Sequence, residues 1–231
     1  RLRCDWSSDV CSSDLRWCFT PPNINIDVAE LPALNNGYIT FGCFNNLTKM
    51  NDKVVELWSK TLESIPNSRL ILKSKQFRDK SVRENVIQRF NIQGIKSERI
   101  TLEGPEHREK YFAAYNRIDI ALDPFPFPGG TTSVECLWMG VPVLTLAGDS
   151  LISRQGIGIL MNIGLPDWIA ENKKEYIAKS IFFASDLEKL ATLRSRLREQ
   201  ILTSPLFDAQ NFAQDFENSL WEMWERYLHQ S

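Results

Sequence analysis

From Tyr38 onward, short apolar runs alternate with stretches whose apolar residues recur every three or four positions. The run YITFGCF, starting at Tyr38, predicts a strand. Val54, Trp58, Leu62 and Ile65 then fall at helical spacing behind Asp52, which predicts a helix capped there. RLILK from Arg69 predicts a second strand. Val82, Val86 and Phe90 mark a second helix ending near Gly94, and RITLEG marks a third strand. A short helix is expected over Arg108 to Asn116. It is followed by the strand RIDIALD, a Pro- and Gly-rich loop, a helix from Thr131 and Thr132, and the strand VPVLTL. Strands alternating with helices require right-handed crossovers and a parallel sheet covered on both faces. The expected class is therefore α/β, a Rossmann-like parallel sheet flanked by helices.

Beyond Leu146 the pattern turns mostly helical. GDSLISRQGIGIL reads as a loop and helix, and Tyr176 to Ile201 as helical with charged outer faces. A last helix from about Asp208 carries Phe212, Phe216, Leu220, Trp224 and Tyr227 as a stripe, expected to be a docking face. Before the alternation begins, Pro21, Pro22 and Pro32 predict an extended linker over residues 16–36, leaving 37–231 as the folded lobe with a helical C-terminal tail. Residues 1–15, RLRCDWSSDVCSSDL, have neither helical nor strand period. DVCSSDL is also the translation of a common sequencing-adapter sequence, so a non-native or disordered leader is expected there.

Composition narrows the function classes. A formal net charge of −2 offers no basic face for a nucleic acid. No run is long and apolar enough for a membrane helix. The five cysteines, Cys4, Cys11, Cys18, Cys43 and Cys136, show no CxxC spacing, and a reducing cytoplasmic setting is expected. His107 and His229 are the only histidines, which excludes a His-rich metal site. No GxGxxG follows a strand, no GxxxxGK[ST] is present, and Ser153 is not in a GxSxG elbow.

In open α/β sheets, ligands sit outside the carboxyl ends of the strands. Two loops leave such ends with polar groups: Asn45-Asn46-Leu47-Thr48-Lys49, and Pro124 to Thr132. Lys49 can reach a phosphate as a mobile point charge, although most loop lysines are simply solvated. Asn46 can donate an amide to the same group, or serve only as a turn residue. Thr131 and Thr132 can donate to a diphosphate at a helix N-terminus, with Gly129 and Gly130 allowing close approach. Glu135 can accept from ribose hydroxyls. Thr132-Ser133-Val134-Glu135 also matches a capping box, which would explain both ends by helix geometry alone.

Three blocks carry a family resemblance: FGCFNNLTKMND, then RIDIALDPFPFPGGTTSVECLWMGVPVLTLAGDSLISR, then SPLFDAQNFAQDFE. In order and spacing they resemble the C-terminal lobe of the O-linked N-acetylglucosamine transferase family, whose bacterial members are often tetratricopeptide-repeat or SPINDLY-type proteins. The resemblance runs from residue 16 to the end. It implies the donor-binding lobe of a GT-B glycosyltransferase. The reaction would be inverting and metal-independent, moving a sugar such as N-acetylglucosamine from a UDP-sugar to Ser or Thr of an acceptor protein. By the same resemblance the family's phosphate lysine falls on Lys49, as the catalytic residue, and its amide on Asn46. Its paired threonines fall on Thr131 and Thr132, and its acidic ribose ligand, usually Asp, on Glu135. A basic uridine-side residue falls on Arg108. Many members carry histidine where this chain has Tyr111, and His107 stands four residues earlier as a partial substitute. No cofactor and no metal are implied. The partners implied are an N-terminal catalytic lobe and tetratricopeptide repeats, neither of which is in this chain. Three alternatives remain: a noncatalytic nucleotide-sugar or protein-binding module, an Asn-directed hexosyltransferase, and an epimerase that would need a carboxylate pair such as Glu135 and Asp123. Asp123 by itself reads as a strand end.

Overall fold

The computed structural model describes residues 18–229; the expected leader at 1–15 lies outside them. Six strands form one sheet: β1 (Thr40–Cys43), β2 (Arg69–Lys73), β3 (Ile100–Glu103), β4 (Ile120–Leu122), β5 (Val143–Leu146) and β6 (Ile169–Ala170). Their order is β3-β2-β1-β4-β5-β6, and every pairing is parallel. Among the described residues nine helices accompany them: α1 (Pro32–Asn36), α2 (Asp52–Ser64), α3 (Lys80–Ile92), α4 (Arg108–Ala114), α5 (Thr131–Trp138), α6 (Gln155–Asn162), α7 (Lys173–Ser185), α8 (Leu187–Leu202) and α9 (Ala209–His229). The doubly wound α/β class expected from the alternation is the one observed.

All four β1 residues are buried, as befits a central strand covered on both faces. Phe41 pairs in register with Leu70 on one side and Ile120 on the other. A side chain at Gly42 would collide with that of Ile118, so glycine lets the segment leading into β4 pack this closely over β1. Val54, Trp58 and Leu62 of α2 are buried, so the predicted stripe faces inward. No helix among the described residues is long and apolar enough to cross a membrane.

Some elements differ from the sequence expectation. The cap of α2 is Asn51, whose side chain accepts from the Val54 N–H at 3.1 Å; Asp52 is the first helical residue and pairs with Arg89. The helical stretch expected over Tyr176 to Ile201 is built as two helices, α7 and α8. Asp186 ends α7 and caps α8 by accepting from the Lys189 N–H at 3.0 Å, a local competition that Asp often wins against helix continuation. Strand β6 has two residues, too few to show any period. Residues 18–36, expected as an extended linker, are tied down at both ends. Phe19 N–H donates to the Leu206 carbonyl, and Arg198 and Arg194 of α8 donate to the carbonyls of Ile26 and Ala29. Helix α9 buries none of its residues; Phe216, Leu220, Trp224 and Tyr227 of the expected docking stripe are exposed.

Candidate functional site

The strand order reverses between β1 and β4, and a ligand crevice in an open α/β sheet lies at the carboxyl ends of the strands at such a switch point. Both loops singled out in the sequence start there. Leu47–Lys49 forms a 3-10 turn capped by Asn46, whose Oδ1 accepts from the Thr48 N–H, the Thr48 hydroxyl and Gln76 Nε2. The oxygen is thus committed, and the Asn46 amide N–H groups are its remaining capacity.

The two loops are stitched together. Asn51 Nδ2 donates to the Phe125 carbonyl at 2.7 Å, and Lys49 Nζ to the Pro128 carbonyl at 2.8 Å. Lys49 also donates to Asn45 Oδ1 at 3.1 Å and stands 4.1 Å from the Phe127 ring centroid. Partial burial lowers its pKa, while the charge of Asp123 acts the other way. Lys49 is therefore not a solvated surface lysine.

Asp123 is more than a strand end. It is 1% exposed and accepts from the Gly129 N–H at 2.6 Å, the Thr145 hydroxyl at 3.0 Å and the Ser133 hydroxyl at 3.4 Å. Burial pushes its carboxyl up to about 6, against these bonds and the nearby Lys49 charge. It anchors the loop that carries the glycines. A side chain at Gly129 would collide with Ser133 Oγ. Gly129 is thus required by packing, and its N–H is already given to Asp123. The expected close approach of a ligand rests on Gly130, which is the N-cap of α5.

Helix α5 begins at Thr131, with no side-chain cap at Gly130. The capping box expected from Thr132 and Glu135 does not form, because the helix starts before Thr132, which lies in its first turn. Thr131 is exposed and Thr132 half-buried at the helix N-terminus, where the N–H groups of Ser133 and Val134 already donate to the Gly130 carbonyl. Glu135 instead accepts from the Tyr111 hydroxyl at 2.8 Å, and Tyr111 meets the buried Tyr115 hydroxyl at 2.9 Å. Burial raises the Glu135 pKa; the Tyr111 hydrogen bond and the Arg108 charge oppose it. Arg108 is the first residue of α4, exposed, with its guanidinium 5.2 Å from the Phe112 ring centroid. His107 is exposed at the N-cap of α4. It lies one residue before the helix, and its carbonyl accepts from the Tyr111 N–H.

Next to Tyr111 opens a cavity of about 270 Å³. Phe44 and Asn46, Ser74 and Gln76, and the loop from Gly104 to Glu106 contribute to its wall. The crevice thus combines a cation, a helix N-terminus with two threonine hydroxyls, a half-buried carboxylate and an aromatic-edged cavity. The first two suit a short polyanion, the carboxylate a diol, and the cavity a flat ring. Asn51, Asp123, Lys73 and Glu106 were not singled out as site residues in the sequence. Asn51 and Asp123 fall in the blocks that carry the family resemblance, and in the sequence Asp123 reads only as a strand end or an epimerase carboxylate; the partners of Lys73 and Glu106 lie in other elements.

The family model for glycosyl transferase family 41 matches residues 20–216. The chain belongs to glycosyl transferase family 41. It is 38% identical over 211 residues to a Hordeum vulgare protein, "Probable UDP-N-acetylglucosamine--peptide N-acetylglucosaminyltransferase SPINDLY", covering 91% of this chain and 22% of that one. It is 30% identical over 190 residues to the UDP-N-acetylglucosamine--peptide N-acetylglucosaminyltransferase of Caenorhabditis elegans, covering 82% and 16%. An O-GlcNAc transferase structure from Thermobaculum terrenum superposes with a TM-score of 0.81 at 34% identity, over 90% of this chain and 39% of that one. The C-terminal domain of a group 1 family glycosyl transferase from Francisella tularensis shares the fold, with a TM-score of 0.54 at 16% identity over 82% of this chain and 96% of that one. The chain spans about a fifth of the length of the curated relatives it matches. Within family 41 it corresponds to the C-terminal lobe of the GT-B catalytic unit.

Proposed function

We propose that this lobe holds the UDP-sugar donor of a protein glycosyltransferase that moves N-acetylglucosamine to Ser or Thr hydroxyls. The observation that carries the reading is Lys49, held half-buried across the β1/β4 crevice beside the N-terminus of α5. Its ammonium and the N-terminus of α5, with Thr131 and Thr132, bind the diphosphate. Asn46 donates its amide to the same group. Glu135, steadied by Tyr111, accepts from the ribose diol. The uracil enters the cavity beside Tyr111 and Phe44, with Arg108 on its outer side.

The sugar–diphosphate bond breaks as the acceptor oxygen attacks the opposite face of the sugar and its hydroxyl proton passes to the departing diphosphate, so the configuration inverts. Charge grows on the departing UDP in that transition state, and Lys49 with the helix N-terminus stabilises it where it develops. Lys49 is the catalytic residue in this reading, and the reading needs no metal. Acceptor contacts come from the N-terminal lobe and repeats of a longer cytoplasmic protein of bacterial type. The family membership and the names of the 38% and 30% identical relatives support the choice of donor and acceptor.

Calorimetry with UDP tests the site. Lys49→Ala is expected to weaken binding by ~1.5–3 kcal/mol, about ten- to hundredfold, with the fold unchanged by circular dichroism. Equal binding by wild type and variant would remove Lys49 from the site. No UDP binding by the folded wild type would sink the donor assignment for this chain.

A further inference from the structure

The cavity assigned to the base has a second cavity behind it, of about 640 Å³, and Lys73, Gly104, Pro105 and Glu106 face both. The loop Gly104–His107 is therefore a partition with space on either side. No backbone hydrogen bond of Gly104, Pro105 or Glu106 ties this partition to the described residues. A side chain does. Lys73, the last residue of β2, donates to Glu106 Oε2 at 2.6 Å and to Glu103 Oε2 at 3.1 Å.

Lys73 is 2% exposed, so its ammonium depends on these carboxylates for compensation. Glu103 is fixed in β3 and shares the same oxygen with Arg117 at 2.7 Å. Glu106 is on the partition. Moving the loop outward takes from a buried cation the carboxylate it does not share. The loop is backbone-paired only at its flanks, Glu103 to Ser74 and His107 to Tyr111, and between them charge holds Glu106.

We propose that Lys73 is a positioning residue that latches the Gly104–His107 loop, through Glu106, as the wall against which the donor's base packs. The inference rests on the donor reading above. The latch acts on affinity and on the choice of base, and leaves the diphosphate contacts of Lys49 alone.

The test uses the half-exposed Glu106, whose removal spares the buried lysine its own substitution. UDP and ADP share ribose and diphosphate and differ in the base, so the ratio of their affinities reads the base cavity. Glu106→Ala is expected to lower the preference for UDP over ADP about tenfold, through weaker UDP binding, with a lower melting temperature but the native circular dichroism retained. Glu106→Gln, which keeps an oxygen for Lys73, is expected to fall between. An unchanged ratio, whether both affinities stay or both drop together, overturns the latch. If wild type binds UDP and Glu106→Ala matches it, the latch alone fails. If wild type binds no UDP, the donor reading fails and the latch with it.

Discussion

Two aspartates stand four residues apart on either side of strand β4, and chemically they look alike. Asp119 precedes the strand and Asp123 follows it; both are buried, and burial pushes both carboxyls up to about 6. At the amino end, Asp119 accepts from the N–H groups of Ala33 at 2.8 Å and Thr40 at 2.7 Å, near the buried guanidinium of Arg194. That joins the segment before β1 to the sheet. At the carboxyl end, Asp123 accepts from one backbone N–H and from two hydroxyls, and holds the loop that leads into α5. A parallel sheet has a polarity, and its ligand crevice lies at the carboxyl ends. The same residue in the same degree of burial is therefore a structural tie at one end of β4 and a support for the site at the other.

The donors also differ in kind, and that makes the comparison breakable. Both donors to Asp119 are backbone N–H groups, one on each oxygen, and neither can reverse. Asp119→Asn would set an amide N–H against a backbone N–H and leave Arg194 without this carboxylate. The expected loss is ~3 kcal/mol of unfolding free energy in urea titration, the largest effect predicted here. A loss under about 1 kcal/mol would mean the two aspartates are equivalent after all.

Asp123→Asn should be tolerated, because the Thr145 hydroxyl can turn and accept. Its effect depends on pH. A carboxyl raised in the native state makes that state bind more protons than the unfolded chain between its ordinary value of 3.8 and about 6. The contribution to stability is full below that window and lost as pH rises through it. Wild-type stability relative to Asp123→Asn should therefore fall by about 2 kcal/mol from pH 4 to above pH 6. A difference that stays flat with pH would show that Asp123 titrates as an ordinary carboxyl. The smallest effect sharpens the mechanism. Thr145→Val alone should cost about 1 kcal/mol. Combined with Asp123→Asn it should cost more than the sum by a further ~1 kcal/mol, since the amide then lacks an acceptor. Strict additivity would remove the reversible hydroxyl from the explanation.

Much of the fold was readable from periodicity. Five of the six strands, and the helices from α2 to α5, follow from apolar spacing that a parallel sheet needs. The errors came where local signals competed or were too short. Asn51 and Asp52 are both cap residues, and the choice was made by Asn51 reaching the Phe125 carbonyl in another loop. The capping box at Thr132 was a valid local pattern that lost to a tertiary partner, Tyr111, for its glutamate. Lys49, Asn46, Thr131, Thr132 and Glu135 were all named from the sequence because they leave strand ends or open a helix. In the sequence Asp123 reads as a strand end, because nothing nearby shows that Gly129, Ser133 and Thr145 will converge on it.

The amino-acid sequence by itself determined the alternation of strand and helix, hence the parallel sheet. It also determined which loops carry a lysine, glycines and threonines, because those properties depend on residues a few positions apart. Only the tertiary structure decided that β1 and β4 are neighbours, which brings Lys49 to the Pro128 carbonyl across 79 positions of chain. It likewise decided that Lys73 would meet Glu106 and that Asp123 would be buried. Hydrogen bonding and charge compensation act over about 3 Å of space whatever the separation along the chain. A buried polar group is therefore satisfied by whichever element the strand order sets beside it.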